Sequence, residues 1–229
     1  VGRFADLRPT VRRLLRRPEG VVLSLLTLGL GIGVSAALYT VVHDVLLQPL
    51  PYPEADRLVG ISHTASGMFV DEFELSEGSY RTFAEDGHAL EALALVEEGH
   101  ASLTGEGAPE RIEVARVTPS LLAVLRVVPA EGRGFTDEEG RPGGEPVVLL
   151  GAGLWARRFG SDPEVVGRRI ELDGVARTVV GVLPPSLDFP AREVEAWLPM
   201  VIDPAAPDTG NFSHQAVGRL RAGVGADEA

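Results

Sequence analysis

Val21 to Val42 reads VVLSLLTLGLGIGVSAALYTVV, twenty-two residues without a formal charge, set directly behind the basic stretch Arg12-Arg13-Leu14-Leu15-Arg16-Arg17. As a helix rising about 1.5 Å per residue it covers roughly 33 Å, enough to cross a hydrocarbon core of about 30 Å. The apolar run continues through Val45, Leu46 and Leu47 and outlasts a signal-peptide core, so the reading is an uncleaved transmembrane helix over 21–47. It divides the chain into a basic segment (1–20), the anchor (21–47) and a large outer domain (48–229).

Charge follows the same division. Residues 1–20 hold six arginines against Asp6 and Glu19, residues 21–43 hold no charge, and residues 44–229 hold fifteen arginines against thirty-one acids. Positive-inside bias, carried by Arg12, Arg13, Arg16 and Arg17, puts the N-terminus in the cytoplasm and the acidic domain across the membrane. An outer domain of that sign is a poor partner for phosphate backbones, which excludes nucleic acid. The chain has no cysteine, so disulfides and thiolate metal sites are excluded, and no lysine, so a P-loop is excluded.

Ahead of the anchor, Phe4, Leu7, Val11 and Leu14 recur at helical spacing among Arg8, Arg12 and Arg16, predicting an amphipathic helix on an anionic leaflet. Pro18 is expected to end it and Glu19-Gly20 to turn the chain into the membrane. Within the anchor, Gly29, Gly33 and Ala37 form a small-xxx-small stripe suited to close helix packing. Gln48-Pro49-Leu50-Pro51-Tyr52-Pro53 reads as a semi-rigid stalk.

Beyond it, short strands and helices mix, predicting an α+β outer domain. Strands are expected at Arg57 to His63, Ala101 to Leu103, Arg111 to Val117, Val147 to Leu150, Trp197 to Met200 and Ala216 to Leu220. Helices are expected at Ser76 to Glu85, at Pro119 to Leu125 capped by Thr118, and through Leu154, Trp155 and Phe159. Ala89 to Val96 satisfies both periods. Arg168 to Leu172 and Ala176 to Val182 read as a hairpin about Asp173-Gly174.

No constellation carries catalysis. Histidines 43, 63, 88, 100 and 214 lack ligand spacing, and Glu97, Glu98 and His100 read as a solvated loop. Ser76, Ser79 and Ser186 lack a nucleophile-elbow context. The pairs Asp71-Glu72 and Glu138-Glu139 read as charged surface, and Trp155, Phe159 and Trp197 as core. The expectation is therefore a non-enzyme without cofactor or metal.

The segments Asp6-Leu7-Arg8, Arg17-Pro18, Leu28-Gly29-Leu30-Gly31 and Leu47-Gln48-Pro49-Leu50-Pro51-Tyr52-Pro53 resemble the start of MacB/FtsX-type ABC transporter permeases, most closely the duplicated orphan permeases. In the outer domain the resemblance to a MacB-like periplasmic core domain runs through Gly132-Arg133-Gly134-Phe135, Gly143-Gly144-Glu145-Pro146-Val147, Leu154-Trp155-Ala156-Arg157-Arg158-Phe159-Gly160, Leu172-Asp173-Gly174, Val179-Val180-Gly181-Val182 and Gly218-Arg219-Leu220-Arg221. The resemblance implies a homodimeric permease in a bacterial inner membrane with a separate cytoplasmic ATPase subunit and, in some members, a periplasmic adaptor. It also implies three further membrane helices beyond residue 229, so the chain is expected to be part of a longer gene or a truncated frame. The function implied is a non-catalytic subunit relaying ATP-driven motion to a periplasmic domain. The alternative is a membrane-anchored binding or scaffold module without transport.

Overall fold

The computed structural model describes residues 18–42, 50–64, 72–105 and 107–225, in two compact units, Val1–Leu50 and Pro51–Ala229. The amphipathic segment expected ahead of residue 18, with Arg12, Arg13, Arg16 and Arg17, lies outside the described residues, as do 43–49 at the end of the expected anchor.

Among the described residues the first unit holds one helix, α1 (Pro18–Val42). Pro18 opens this helix, and Glu19-Gly20 are helical instead of a turn. The first helical position suits proline, because its missing N–H would have no intrahelical acceptor. Apolar residues occupy every face, and Leu23, Leu26, Leu30 and Tyr39 are each about two-thirds exposed. The Thr40 hydroxyl returns to the Ala36 carbonyl at 3.0 Å, so that polar atom is satisfied within the helix. Among the described residues no helix is long and apolar enough to cross a membrane.

The second unit is built on a nine-stranded mixed sheet, in agreement with the α+β expectation. Its strands are β1 (Leu58–Ile61), β4 (Leu90–Thr104), β5 (Glu110–Val117), β6 (Glu131–Gly132), β7 (Val147–Gly151), β8 (Arg169–Leu172), β9 (Val175–Leu183), β10 (Ala196–Pro199) and β11 (Gln215–Leu220). The short pair β2 (His63–Thr64) and β3 (Glu72–Phe73) forms a separate ribbon. The helices are α2 (Glu77–Asp86), α3 (Leu121–Leu125) and α4 (Ala152–Phe159).

Hydrogen-bonded pairings run β4–β5–β10–β7–β9–β8 and return to β4, closing six strands into a ring. Only β5–β10 and β7–β9 in this ring are parallel. The hairpin about Asp173-Gly174 completes it. Both residues have positive φ, 52° and 76°, as a two-residue turn between twisted strands requires. Asp173 then docks on β4: its N–H donates to the Ser102 carbonyl at 3.0 Å, and its carboxylate accepts the Ser102 N–H at 2.8 Å.

Strand β4 is longer than the ring needs. Its first half turns away to pair with β11, and β11 pairs with β1, which forms the sheet edge. The ambiguous Ala89 to Val96 is therefore strand. Its double periodicity has a physical cause: Ala94 and Val96 enter the core beneath α3, while Leu95 enters a second core beneath α2, so both faces are covered. The same doubling marks β7, where Val147 and Leu149 face the α3 side and Val148 and Leu150 face the α4 side.

Glu97, Glu98 and His100 belong to β4 and not to a loop. Register sets Glu97 opposite Arg116, an ion pair at 3.7 Å, and His100 opposite Glu113, with Nδ1 2.6 Å from the carboxylate. Helix α3 begins two residues later than expected, and Thr118 does not cap it. The Thr118 hydroxyl accepts the Leu95 N–H at 3.1 Å, and the Ser120 hydroxyl donates to the Leu93 carbonyl at 2.6 Å. Both hydroxyls serve the edge of β4 opposite β11, just beyond the last residue of β5, which pairs Val117 with Val96. At α2 the expected start holds, with Ser76 as N-cap accepting the Ser79 N–H.

Candidate functional site

Arg219 is the largest side chain with no solvent exposure, a buried cation on a strand otherwise read as apolar. It sits on β11 opposite Leu58, the first residue of β1. Its Nε donates to the Val124 carbonyl at 2.7 Å and its Nη1 to the Glu54 carbonyl at 3.0 Å. Burial pulls the guanidinium pKa down, and Arg126 and Arg57 add to the shift. One side chain thus ties the end of α3, the segment leading into β1, and β11 itself.

Over it lies a ring of four alternating charges. Arg57 pairs with both Glu54 and Glu91, and Arg126 pairs with the same two carboxylates. Hydrogen bonding from Arg57 draws both carboxyl groups below the ordinary glutamate range, with Arg126 contributing. Arg57 also donates from Nε and Nη2 to the Leu220 carbonyl, at 2.8 and 2.5 Å. On the other side of Leu220, Arg221 donates from its backbone N–H to Ala89 at 2.8 Å and from Nε to Leu90 at 3.0 Å. Glu54 reaches its partners from a left-handed conformation, φ 49°, and Arg126 from another, φ 55°.

These groups form a clamp that holds the strand by which the chain enters the sheet against the strand by which it leaves. Chemically it is inert: every guanidinium donates, every carboxylate and carbonyl accepts, and no nucleophile is present. Sequence reasoning missed it because, Glu54 and Arg57 apart, its members lie 34 to 165 residues from one another. The one local signal was an arginine inside the strand pattern Ala216 to Leu220.

A second charged pair corrects the surface reading of Glu138-Glu139. Glu139 is 6% exposed. It accepts two bonds from Arg133, at 3.0 and 2.6 Å, and the Thr136 N–H at 2.8 Å. Burial pushes its carboxyl pKa upward, but the Arg133 and Thr136 bonds outweigh it and the net shift is downward. A lowered native pKa contributes stability above the unfolded glutamate value and loses it as pH falls through the native one. Glu139→Gln is therefore expected to cost about 1–2 kcal/mol at pH 7, a figure reduced because Arg133 is half exposed. Urea unfolding of both proteins between pH 7 and pH 3 should show that difference shrink below about pH 4.3.

The remaining sequence candidates are placed as follows. Gly29, Gly33 and Ala37 lie four residues apart on α1, all exposed, and a Cβ added at either glycine would meet nothing within 4 Å. Trp197 is buried, with Nε1 donating to the Phe189 carbonyl at 3.3 Å; Trp155 and Phe159 pack half-buried against the α4-side core. Ser79 and His63 are brought together at 2.8 Å, a pair that spacing did not reveal. The Ser79 N–H is taken by Ser76 and the Gly78 N–H by the Asp208 carbonyl, which leaves neither to hold an oxyanion there. The bond fastens β2 to α2. Among the described residues no group of three or more histidines and acids is placed to hold a metal.

Solved structures share this architecture. The periplasmic region of MacB from Actinobacillus actinomycetemcomitans superposes with a TM-score of 0.59 at 10% identity, covering 80% of this chain and 83% of that one. A domain of a candidate permease from Porphyromonas gingivalis gives 0.55 at 20% identity, covering 77% and 78%. The extracellular domain of the noncanonic ABC-type transporter YknZ from Gram-positive bacteria gives 0.51 at 11% identity, covering 72% and 84%. At these identities the likeness is one of fold. No curated protein matches the chain. The family described as MacB-like periplasmic core domain matches residues 21–229, through the ring, the clamp and α1. The chain belongs to the MacB-like periplasmic core domain family.

Proposed function

We propose that this chain serves a MacB/FtsX-type ABC transporter as a non-catalytic permease subunit, relaying motion driven by a cytoplasmic ATPase to its periplasmic unit. In this reading the 21–47 segment crosses the inner membrane, Arg12, Arg13, Arg16 and Arg17 hold the N-terminus in the cytoplasm, and Gly29, Gly33 and Ala37 admit a neighbouring helix, in a homodimer. A periplasmic adaptor is a further partner of such an assembly.

The observation that carries the proposal is the clamp. A domain driven from its membrane side needs its inlet strand joined rigidly to the rest of the sheet, or the motion is lost in a loose tether. Glu54 and Arg57 begin that join four residues after Leu50, and Arg219 carries it into the interior. The absence of a reacting constellation at the clamp fits a mechanical role.

The chain has no cysteine, so a spin label can be placed at exposed Asp137 without background and read the distance between the two copies of the proposed homodimer. Purified from native membranes with a tag, the protein should bring vanadate-sensitive ATP hydrolysis with it, and ATP should change the label distance. Replacing Arg57 and Glu91 by alanine should keep the hydrolysis and abolish the distance change. Loss of co-purifying hydrolysis, or a distance indifferent to ATP, would return the chain to an anchored binding module.

A further inference from the structure

The inner face of the six-stranded ring is filled by apolar side chains, among them Ala101 of β4, Val114 of β5 and Val179 of β9. Side chains alternate along a strand, so a residue two positions away meets the same face. Strands β4 and β9 run the same way, and β5 runs against them. Two positions back on β4 and β9, and two ahead on β5, therefore lead to one end of the ring. The residues there are Gly99, Arg177 and Arg116. Where the pattern calls for three apolar side chains, two are cations and one is absent.

Neither guanidinium has found a hydrogen-bond acceptor. Arg177 is part-buried, its Nε is shut off from solvent without a partner, and among the described residues it makes no hydrogen bond or ion pair. An unmet buried donor is destabilising, so an acceptor supplied from outside would be held. Arg116 has Glu97 at 3.7 Å, beyond hydrogen-bond reach. Burial pulls the Arg177 pKa below the ordinary arginine value, the charge of Arg116 pulls it further, and Asp173 works against both. The Asp173 carboxylate is already taken by the Ser102 N–H. Room exists as well. Apart from its chain neighbours, a Cβ built on part-exposed Gly99 would meet one atom within 4 Å, Nη1 of Arg116 at 3.6 Å.

We propose that this end of the ring binds a small carboxylate in the space beside Gly99, its two oxygens accepting from Arg116 and Arg177. Guanidinium groups match the paired oxygens of a carboxylate, which a halide lacks. Glu97, Arg116 and Arg177 together carry one positive charge, which a carboxylate balances and a phosphate dianion overshoots. The proposal goes beyond the relay reading and does not depend on it, because binding is measured on this chain alone.

The test uses the whole chain in lipid nanodiscs, with arginine labelled by nitrogen-15 and the side-chain Nε–H signals followed by NMR. Arg177→Lys removes one signal and so assigns it. Acetate, exchanged for chloride at constant ionic strength, should move that signal and saturate. Arg116→Gln should weaken the apparent affinity about fivefold or more, and so should Gly99→Val, which fills the space at a strand position without positive φ. Arg192→Gln, at an exposed arginine paired with Asp188, should leave it unchanged. If Gly99→Val fails to fold, Arg116→Gln decides. The proposal falls if acetate leaves the Arg177 signal in place, or if the shift never saturates or survives Arg116→Gln at full affinity. It also falls if chloride or phosphate holds as tightly as acetate. Tighter binding of a glutamate-bearing glycine pentapeptide than of acetate would assign the site to an acidic segment of a partner and overturn it too.

Discussion

Arg219→Met should lower the unfolding free energy of the outer unit by about 2–4 kcal/mol and its melting temperature by roughly 6–12 °C. Methionine fills most of the volume and removes a desolvated charge, which by itself is favourable. Against this stand two lost charge-assisted bonds, to Val124 and Glu54; the Val124 carbonyl loses its donor in the interior, while the Glu54 carbonyl keeps the Arg57 N–H. Each such bond contributes about 1.5–3 kcal/mol, so the loss exceeds the relief. Lysine should do little better, since a single ammonium on a flexible stem does not reproduce the fork that reaches both carbonyls. The effect should be local first: amide exchange at Leu58–Ile61 should accelerate more than at Val147–Gly151, because the clamp holds the former and the double core the latter. A melting temperature within about 2 °C of the parent, in matched detergent, would mean Arg219 is a passenger in a site held by the outer charge ring.

Trp197→Ala should be the more damaging of the two for the sheet as a whole, at about 3–5 kcal/mol. Trp197 lies on β10 between parallel β5 and antiparallel β7, and is 2% exposed. Its ring lies over Gly151, where an added Cβ would come within 3.3 Å of Cζ3, so the void left by alanine has no larger neighbour to collapse into it. The Phe189 carbonyl also loses its indole donor. Trp197→Phe keeps most of the volume and should cost clearly less, about 1–2 kcal/mol. Chemical denaturation followed by circular dichroism separates these cases. Equal small effects from both variants would show that the ring serves a binding surface and not the core.

Resemblance and periodicity together carried much of the fold. The hairpin at Asp173-Gly174 was readable because a two-residue turn needs positive φ at both positions, and few residue pairs supply it. The strand Val147 to Leu150 and the helix from Ser76 to Glu85 were readable for similarly local reasons. Failures fell where a tertiary partner captured a local group. Thr118 has the side chain of a helix cap, but the unpaired Leu95 N–H of β4 was nearer. Glu139 has the composition of surface, but Arg133 and the Thr136 N–H neutralise and bond it inside a loop.

Covalent neighbourhood alone decided the uncharged 21–42 stretch, the charge division on either side of it, the mixed α+β class and the exclusion of P-loop and thiolate chemistry, because each depends on residue type and on spacing within one element. Family membership was legible for the same reason, as ordered short motifs. Only the tertiary structure closed six strands into a ring and assembled Glu54, Arg57, Glu91, Arg126 and Arg219 into one clamp. Those features depend on which segments meet after the chain has folded back on itself. Glu54 and Arg57 apart, the clamp's members are separated by 34 to 165 residues, which leaves no periodic trace from which that meeting could be read.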